Sequence, residues 1–317
     1  MMKPLNIALL SGGISSERDV SISSGQQVYD ALDKDKYNVR RYDPKTDIQR
    51  LVADAETIDA ALIILHGPFG EDGTVQGLLD LLGIPYQGSG VLGSSLAMNK
   101  LASKQLYEQA GIPVPPYCVV RRGRLPELGG CVKHLGLPMV VKPVSCGSSI
   151  GISIPESEAD LRHAVEAAFE FDGFVLLEKY IDGVEVTGGV LGNDDPEPLP
   201  LIEIVPDAAH RFFDYTAKYT AGATQEICPA RIDEQLTELA QSYALKAHHA
   251  LFCRGYSRTD MMLRDGKFYV IETNTIPGMT ATSLFPQAAA AAGYSFPLLL
   301  DRLIELSMEE HRNDARG

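Results

Sequence analysis

The chain is 317 residues long, 45% hydrophobic and 22% charged, with a formal net charge of −14. That length suggests two or three domains with sizeable cores. The acidic balance argues against non-specific nucleic-acid binding, so an anionic ligand needs positive charge gathered locally. No apolar run is long enough to span a membrane, and the opening run stops at Ser11-Gly12-Gly13, so no signal peptide is expected. Five scattered cysteines without a C-x-x-C pair fit reduced thiols in a cytoplasm, not a disulfide framework or a zinc site.

Residues 5–10 read as a buried strand, followed by the loop SGGISSERDVSISSG and a helical pattern to about Leu32. Residues 39–42 and 60–65 read as further strands. The alternation implies a parallel α/β unit whose functional loops lie at the carboxyl ends of the strands. Gly12-Gly13 lacks G-x-G-x-x-G spacing, so a dinucleotide fingerprint is not supported. Glu17, near a helix start, reads by itself as a first-turn acid complementing the helix dipole. The third strand opens into HGPFGEDGTVQG, with Thr74 as the expected N-cap of a helix that Gly83 ends. Its glycines make an open loop, but no G-K-[ST] follows, so this is not a P-loop. His66 at the strand end counts little alone.

Residues 94–110 read as one helix containing Lys100, which alone is a surface lysine. PELGGCVKHLG then gives a helix and residues 139–142 a strand. Residues 147–151, Gly-Ser-Ser-Ile-Gly, offer small residues whose amides and hydroxyls can wrap phosphate oxygens, with Lys142 to neutralise them. After a helix over 157–170, FVLLEKYIDGVEVT reads as two strands joined at Asp182-Gly183. Glu178, Lys179 and Glu185 read alone as exposed charges. The stretch from Glu203 to Ala230 lacks periodicity and reads as an ordered lid, with Lys218 and Tyr219 near its tip. Residues 237–252 read as a long helix.

RTDMMLRDGKFYVIETN, residues 258–274, has the pattern of a β-hairpin. A two-residue Asp-Gly loop would set Leu263 opposite Phe268 and throw Asp260 and Glu272 onto opposite faces. A three-residue loop, 264–266, would put Arg258, Asp260, Met262, Phe268, Val270, Glu272 and Asn274 on one face. Three-residue hairpins with a terminal glycine are common, so that loop is expected, and it gathers three oxygen ligands and a guanidinium on one face; oxygen-only ligands suit magnesium bridging nucleotide phosphates. Beyond Pro277-Gly278, Thr282-Ser283 begin a helix whose exposed amides suit a carboxylate. A last helix from Ser295 carries Leu299, Leu303 and Leu306 on one face.

Taken together, GGISSERDVS, HGPFGEDGTVQG, KPVSCGSSIG, EKYIDGVEVT, AKY and RTDMMLRDGKFYVIETNTIPGMTATS occur in the order found in the D-alanine–D-alanine ligases of the ATP-grasp superfamily, which the chain resembles almost end to end. Arg18 departs from the pattern, since many members carry histidine there. The resemblance implies an α/β ATP-grasp fold of three α/β domains. These are a Rossmann-like pre-ATP-grasp domain (1–98) with the first-substrate site, a central domain (99–182), and a C-terminal domain (183–317) with the metal and second-substrate sites. It implies that Lys100 and Lys142 contact the phosphates of ATP, with Ser148 and Ser149 in the mobile phosphate loop. Glu178 and Lys179 would meet the adenine and Glu185 the ribose, with Lys218 also at the nucleotide. Asp260, Glu272 and Asn274 would hold two magnesium (or manganese) ions, and Arg258 and the Gly278 amide would face the oxyanion. Glu17 and His66 would hold the first D-alanine, and Ser283 and Leu284 the second. Tyr219 would link with Ser148 and Glu17 on closure. The implied partners are D-alanine and ATP, with no nucleic acid or membrane, in a cytoplasmic homodimer. Tyr219 favours a dipeptide product over D-lactate or D-serine acceptors. A non-catalytic ATP sensor would be expected to lack a metal ligand or the oxyanion arginine, and a carboxylate kinase to lack the TATSL helix start.

Overall fold

The computed structural model describes residues 3–123, 128–147, 150–206 and 224–314. The first apolar runs become three parallel strands, β1 (Leu5–Ser11), β2 (Tyr37–Tyr42) and β3 (Ala60–Ile64), in the order β2-β1-β3. Between them lie α1 (Arg18–Ala31) and the short α2 (Ile48–Asp54). Alternate residues of β1 and β3 serve two different cores. Ala8, Leu10, Ala61 and Ile63 join Val75 and Leu79 of α3 (Thr74–Leu81). Ile7, Leu9, Leu62 and Ile64 instead meet residues from the far end of the chain. α3 begins one residue earlier than an N-cap at Thr74 would require: Gly73 caps it at φ +94, a left-handed backbone that glycine adopts without strain.

The expected helix over 94–110 is two helices, α4 (Val91–Met98) and α5 (Lys100–Gln109). Asn99 breaks the run. Its backbone is extended (φ −89, ψ 98), and its side-chain oxygen accepts from the Ala102 amide at 3.0 Å. The cap turns Lys100 from a mid-helix surface residue into the first residue of a new helix. The Lys100 amide is also tied to the Val144 carbonyl at 2.9 Å.

The second sheet is antiparallel, in the order β4-β6-β5, from β4 (Tyr117–Arg121), β5 (Met139–Pro143) and β6 (Phe174–Lys179). α6 (Leu128–Leu135) and α7 (Glu158–Ala168) close its core. The third sheet runs β10-β9-β7-β11-β12, from β7 (Val184–Leu191), β9 (Ile202–Pro206), β10 (Thr224–Ile227), β11 (Tyr256–Arg264) and β12 (Lys267–Asn274); the two-residue β8 (Glu197–Pro198) flanks β7. One face packs on α5 and α8 (Glu234–Ala250), burying Tyr107, Val186, Met261, Phe268 and Val270. α8 starts ahead of the expected residue because Asp233 caps it, accepting from the Leu236 amide at 2.8 Å. The last helices, α9 (Leu284–Ala291) and α10 (Phe296–Asp314), lay Phe285, Leu299, Leu303 and Leu306 into the core on β1 and β3. Among the described residues no helix is long and apolar enough to cross a membrane.

Candidate active site

The hairpin does gather its acids, by a different device from the one expected. The turn is the two-residue Asp265-Gly266, with φ of 51° and 73°, and Leu263 faces Phe268. Positive φ at both central residues is the tight hairpin turn that Asp-Gly favours. Left alone, that register would separate Asp260 from Glu272. A β-bulge corrects it. Met261 pairs with Val270 but Asp260 with Glu272, so Ile271 is the extra residue and the parity of β12 flips there. Phe268 and Val270, expected beside the acids, therefore point with Met261 into the core under α5 and α8. Arg258, Asp260, Met262, Glu272 and Asn274 share the other face.

Across the neighbouring strand, Asp260 pairs with Thr187 and Met262 with Glu185, which brings both β7 residues to the same face. Asp260 is heavily engaged. Arg258 grips it with two hydrogen bonds, Nε to Oδ1 at 2.9 Å and Nη2 to Oδ2 at 2.8 Å. Thr187 Oγ1 donates at 2.6 Å and Asn274 Nδ2 at 3.2 Å. Burial works against the Arg258 charge, but the charge and hydrogen bonds of Asp260, with Glu272 and Glu185 further off, raise its pKa above the ordinary value. Glu272 receives Lys100 Nζ at 2.9 Å. Burial likewise opposes the Lys100 charge, and Glu272 more than restores it.

Lys142, at the end of β5, lies deeper. Its ammonium is 2.8 Å from Glu178 Oε2, and Lys104, one turn after Lys100, is 3.0 Å from Oε1. Burial alone would raise the Glu178 pKa; the two lysines outweigh it and hold the carboxyl ionised. This carboxyl is only 1% exposed and lies beneath the two ammoniums, while Lys179 points outward.

A cavity of about 820 Å³ joins the remaining candidates. Glu17, His66, Lys100, Arg258, Glu272, Asn274, Gly278, Ser283 and Leu284 all line it. Glu17 occupies the N-cap of α1 and is buried; a Cβ at Gly67 would stand 3.2 Å from its Oε2, which places it against the loop after β3. His66 is buried beside Glu71, and its Nε2 has no hydrogen-bond partner. Burial opposes protonation of His66, but Glu71 and then Glu17 hold its pKa above the usual imidazole value. Ser283 caps α9, and its Oγ accepts from the Thr280 amide at 3.1 Å. A Cβ at Gly278 would stand 3.1 Å from that Oγ, so a glycine keeps this wall of the cavity open. Arg18 turns to the first loop, donating to the Gly13 carbonyl at 2.7 Å and pairing with Asp43.

Ser148, Ser149, Lys218 and Tyr219 lie outside the described residues, so the expected link of Tyr219 and Ser148 to Glu17 has only its Glu17 end described. Three participants were missed in the sequence. Thr187 follows Glu185 by two and alternation could have found it. Lys104 follows Lys100 by four, on one helix face. Glu226, inside the stretch read as lid, lines the cavity and accepts from Gln287 Nε2; burial raises its pKa. Among the described residues no three His, Cys, Asp or Glu side chains converge as a metal cage. Two opposed carboxylates and an amide still fit magnesium, which keeps waters and substrate phosphates as its other ligands.

Comparison with known proteins shows the family. The family model described as D-ala D-ala ligase N-terminus matches residues 40–89, and the one described as D-ala D-ala ligase C-terminus matches 106–305. The D-alanine--D-alanine ligase of Syntrophobacter fumaroxidans is 62% identical over 96% of this chain and 98% of its own. That of Desulfotalea psychrophila is 53% identical over 97% and 96%. A crystal structure of the Bacillus anthracis enzyme complexed with ATP superposes with a TM-score of 0.86, at 38% identity, covering 98% of this chain and 99% of that one. With two family models and long, highly identical relatives in agreement, the chain belongs to the D-alanine–D-alanine ligase family.

Proposed function

We propose that the chain joins two D-alanine molecules into D-alanyl-D-alanine for peptidoglycan precursors, driven by ATP, through the residues that meet at the cavity. The carrying observation is that Arg258, Glu272 and Asn274 of the hairpin face, Lys100, the Glu17–His66 corner and the N-terminus of α9 open onto one space, with Asp260 held beside it by Arg258. A carboxylate is a poor electrophile and its oxygen a poor leaving group. Phosphorylation changes both: an oxygen of the first D-alanine attacks the γ-phosphorus, ADP leaves, and a D-alanyl phosphate forms. The amine of the second D-alanine, after losing a proton, attacks the carbonyl carbon, and phosphate leaves with the bridging oxygen.

In this reading 1–98 carries the first-substrate site, 99–182 grips the nucleotide against 183–317, and the latter holds metal and second substrate. Glu17 and His66 take the first D-alanine, Glu17 by its ammonium. Lys100 and Lys142 neutralise phosphates; Ser148 and Ser149 wrap them; Glu178, Lys179, Glu185 and Lys218 serve the nucleoside side. Such transfer depends mostly on positioning and charge neutralisation. Asp260, Glu272 and Asn274 would hold two magnesium or manganese ions, which when bound neutralise charge on the phosphate oxygens. Arg258 and the Gly278 amide then stabilise charge developing on the carbonyl oxygen. Ser283 and the Leu284 amide, at a helix N-terminus, orient the acceptor's carboxylate. Tyr219 closes over the intermediate and excludes water, which would hydrolyse it. We also take the enzyme to be a cytoplasmic homodimer acting on small molecules, with neither nucleic acid nor membrane as partner; sedimentation tests the dimer.

The test is phosphate release from ATP with magnesium across D-alanine, L-alanine, D-lactate and D-serine, with products identified by mass. A D-alanine-dependent signal with the dipeptide mass is expected. Mixed products with D-lactate or D-serine would move the acceptor assignment. ATP binding without phosphate release for any substrate would end the ligase reading.

A further inference from the structure

Lys104 is a buried ammonium for which the mechanism above has no use. Its side chain is wholly enclosed between α5 and the second sheet. The groups facing it are Glu178 on β6 at 3.0 Å, Lys142 on β5 through the same carboxylate, and the Tyr117 ring of β4, 5.8 Å from its ammonium. Glu108, on its own helix, adds a weaker attraction and accepts a hydrogen bond from the Tyr117 hydroxyl at 2.9 Å. Lys100, one turn earlier, also feels Glu178 but is paired with Glu272 on β12. The Lys104–Glu178 contact is an ion pair without a well-aligned hydrogen bond. As structural glue the cluster is a poor choice, since replacing buried ion pairs by apolar groups is commonly neutral or stabilising. Its composition suggests another use. Two lysines share one carboxylate, so the cluster carries one positive charge more than Glu178 needs.

We propose that Lys104 is a positioning residue for nucleotide binding: by neutralising Glu178 from behind, it leaves the Lys142 ammonium able to turn its charge to the phosphates of ATP. The inference rests on the reading that Lys142 meets those phosphates. With Lys104 present, Lys142 can leave a carboxylate that stays paired. Without it, moving Lys142 would strand a buried anion, and Glu178 holds Lys142 back. The charge state of Lys104 then matters to ATP. Burial pushes its pKa down to about 8, against the pull of Glu178. Nucleotide affinity therefore weakens as pH rises through that value.

The experiment measures the Kd of ATP with magnesium by calorimetry, and KM for ATP and for D-alanine with kcat, on the intact native enzyme, Lys104→Met and Lys104→Arg, between about pH 7 and 9.5. Lys104→Met should weaken ATP roughly tenfold or more at pH 7.5, with KM for D-alanine unchanged, the scale expected when a buried charge loses one of two partners. Lys104→Arg should bind ATP as the native enzyme does at pH 7.5, and should lose the alkaline weakening, because a guanidinium stays charged throughout. An arginine variant that weakens with pH as the native enzyme does overturns the proposal. So does native ATP affinity in Lys104→Met, even with lowered stability. Should Lys104→Met not fold, the native and Lys104→Arg profiles decide alone. A native enzyme that makes no dipeptide would instead refute the proposed function, independently of Lys104.

Discussion

Replacing Glu272 by glutamine keeps the shape of the side chain and removes its charge. In the structure Lys100 Nζ lies 2.9 Å from Glu272 Oε2, with the lysine side chain 7% exposed and the glutamate 23%. Removing one partner of a fully buried pair costs about 3–5 kcal/mol, whereas an exposed pair contributes about 1 or less. One partner here is nearly a quarter exposed, and an amide oxygen can still accept from Lys100, so the loss should be about 2 kcal/mol. At ~2–4 °C per kcal/mol for larger domains, the unfolding midpoint drops by about 4–8 °C. The catalytic loss is separate and larger: turnover should fall by about 100-fold or more, the scale of losing one group that neutralises transition-state charge. Thermal unfolding with ATP, with and without magnesium, separates the two. Ligand at a hundred times its Kd adds about 2.7 kcal/mol to the native protein. In Glu272→Gln the magnesium-dependent part of that rise should shrink, beyond the drop of the ligand-free midpoint. Native turnover, or a native magnesium-dependent rise, would refute the metal assignment.

Ser283→Ala removes the hydroxyl that bonds Thr280 at the N-terminus of α9; KM for the second D-alanine should rise about tenfold, a loss of one hydrogen bond to a charged group, while KM for ATP holds, and an equal rise in both would argue against an acceptor site. Tyr219→Phe should change acceptor choice or the pH dependence of acceptor kinetics more than ATP binding; identical acceptor profiles across pH would remove it from the lid. His66 has a raised folded pKa, so its stabilising contribution is complete below the ordinary 6.5 and fades as pH rises through the raised value. Stability of the native protein should thus fall more steeply above pH 6.5 than that of His66→Gln, and parallel slopes in chemical denaturation would mean that the imidazole is neutral in the fold.

Much of the site was legible because alternation and order survive in a one-dimensional string. Arg258 and Asp260 lie in the first half of β11 and Glu272 and Asn274 close β12, and the chemistry of oxygen ligands follows from their types. The bulge was not legible: Ile271 is an ordinary β-former, and only three-dimensional pairing shows it as the residue that changes the parity of β12. Asp260 and Glu272 share a face as expected, but through a two-residue turn and a bulge, so Phe268 and Val270 lie on the opposite face. The break at Asn99 was similarly hidden, since a capping asparagine inside a helical pattern looks like a helix residue until its backbone is seen. Lys142 was expected to face phosphate oxygens and Lys104 passed unnoticed, because a string does not reveal that one buried carboxylate serves both. β8–β10 were missed for their brevity and for the aromatic, aperiodic stretch around them.

The packing of α9 and α10 on β1 and β3 has a consequence for synthesis on the ribosome. One face of the first sheet closes on α3, which emerges soon after it. The other face waits for Phe285, Leu299, Leu303 and Leu306. From the end of β3 to the start of α10, at about 5–20 residues per second, the delay is roughly 10–50 s. Through that interval Ile7, Leu9, Leu62 and Ile64 lack their final cover. The first region to be translated is thus among the last to become fully native. Chaperone demand, and the damage done by premature stop codons near the 3′ end of the message, should centre on that waiting surface.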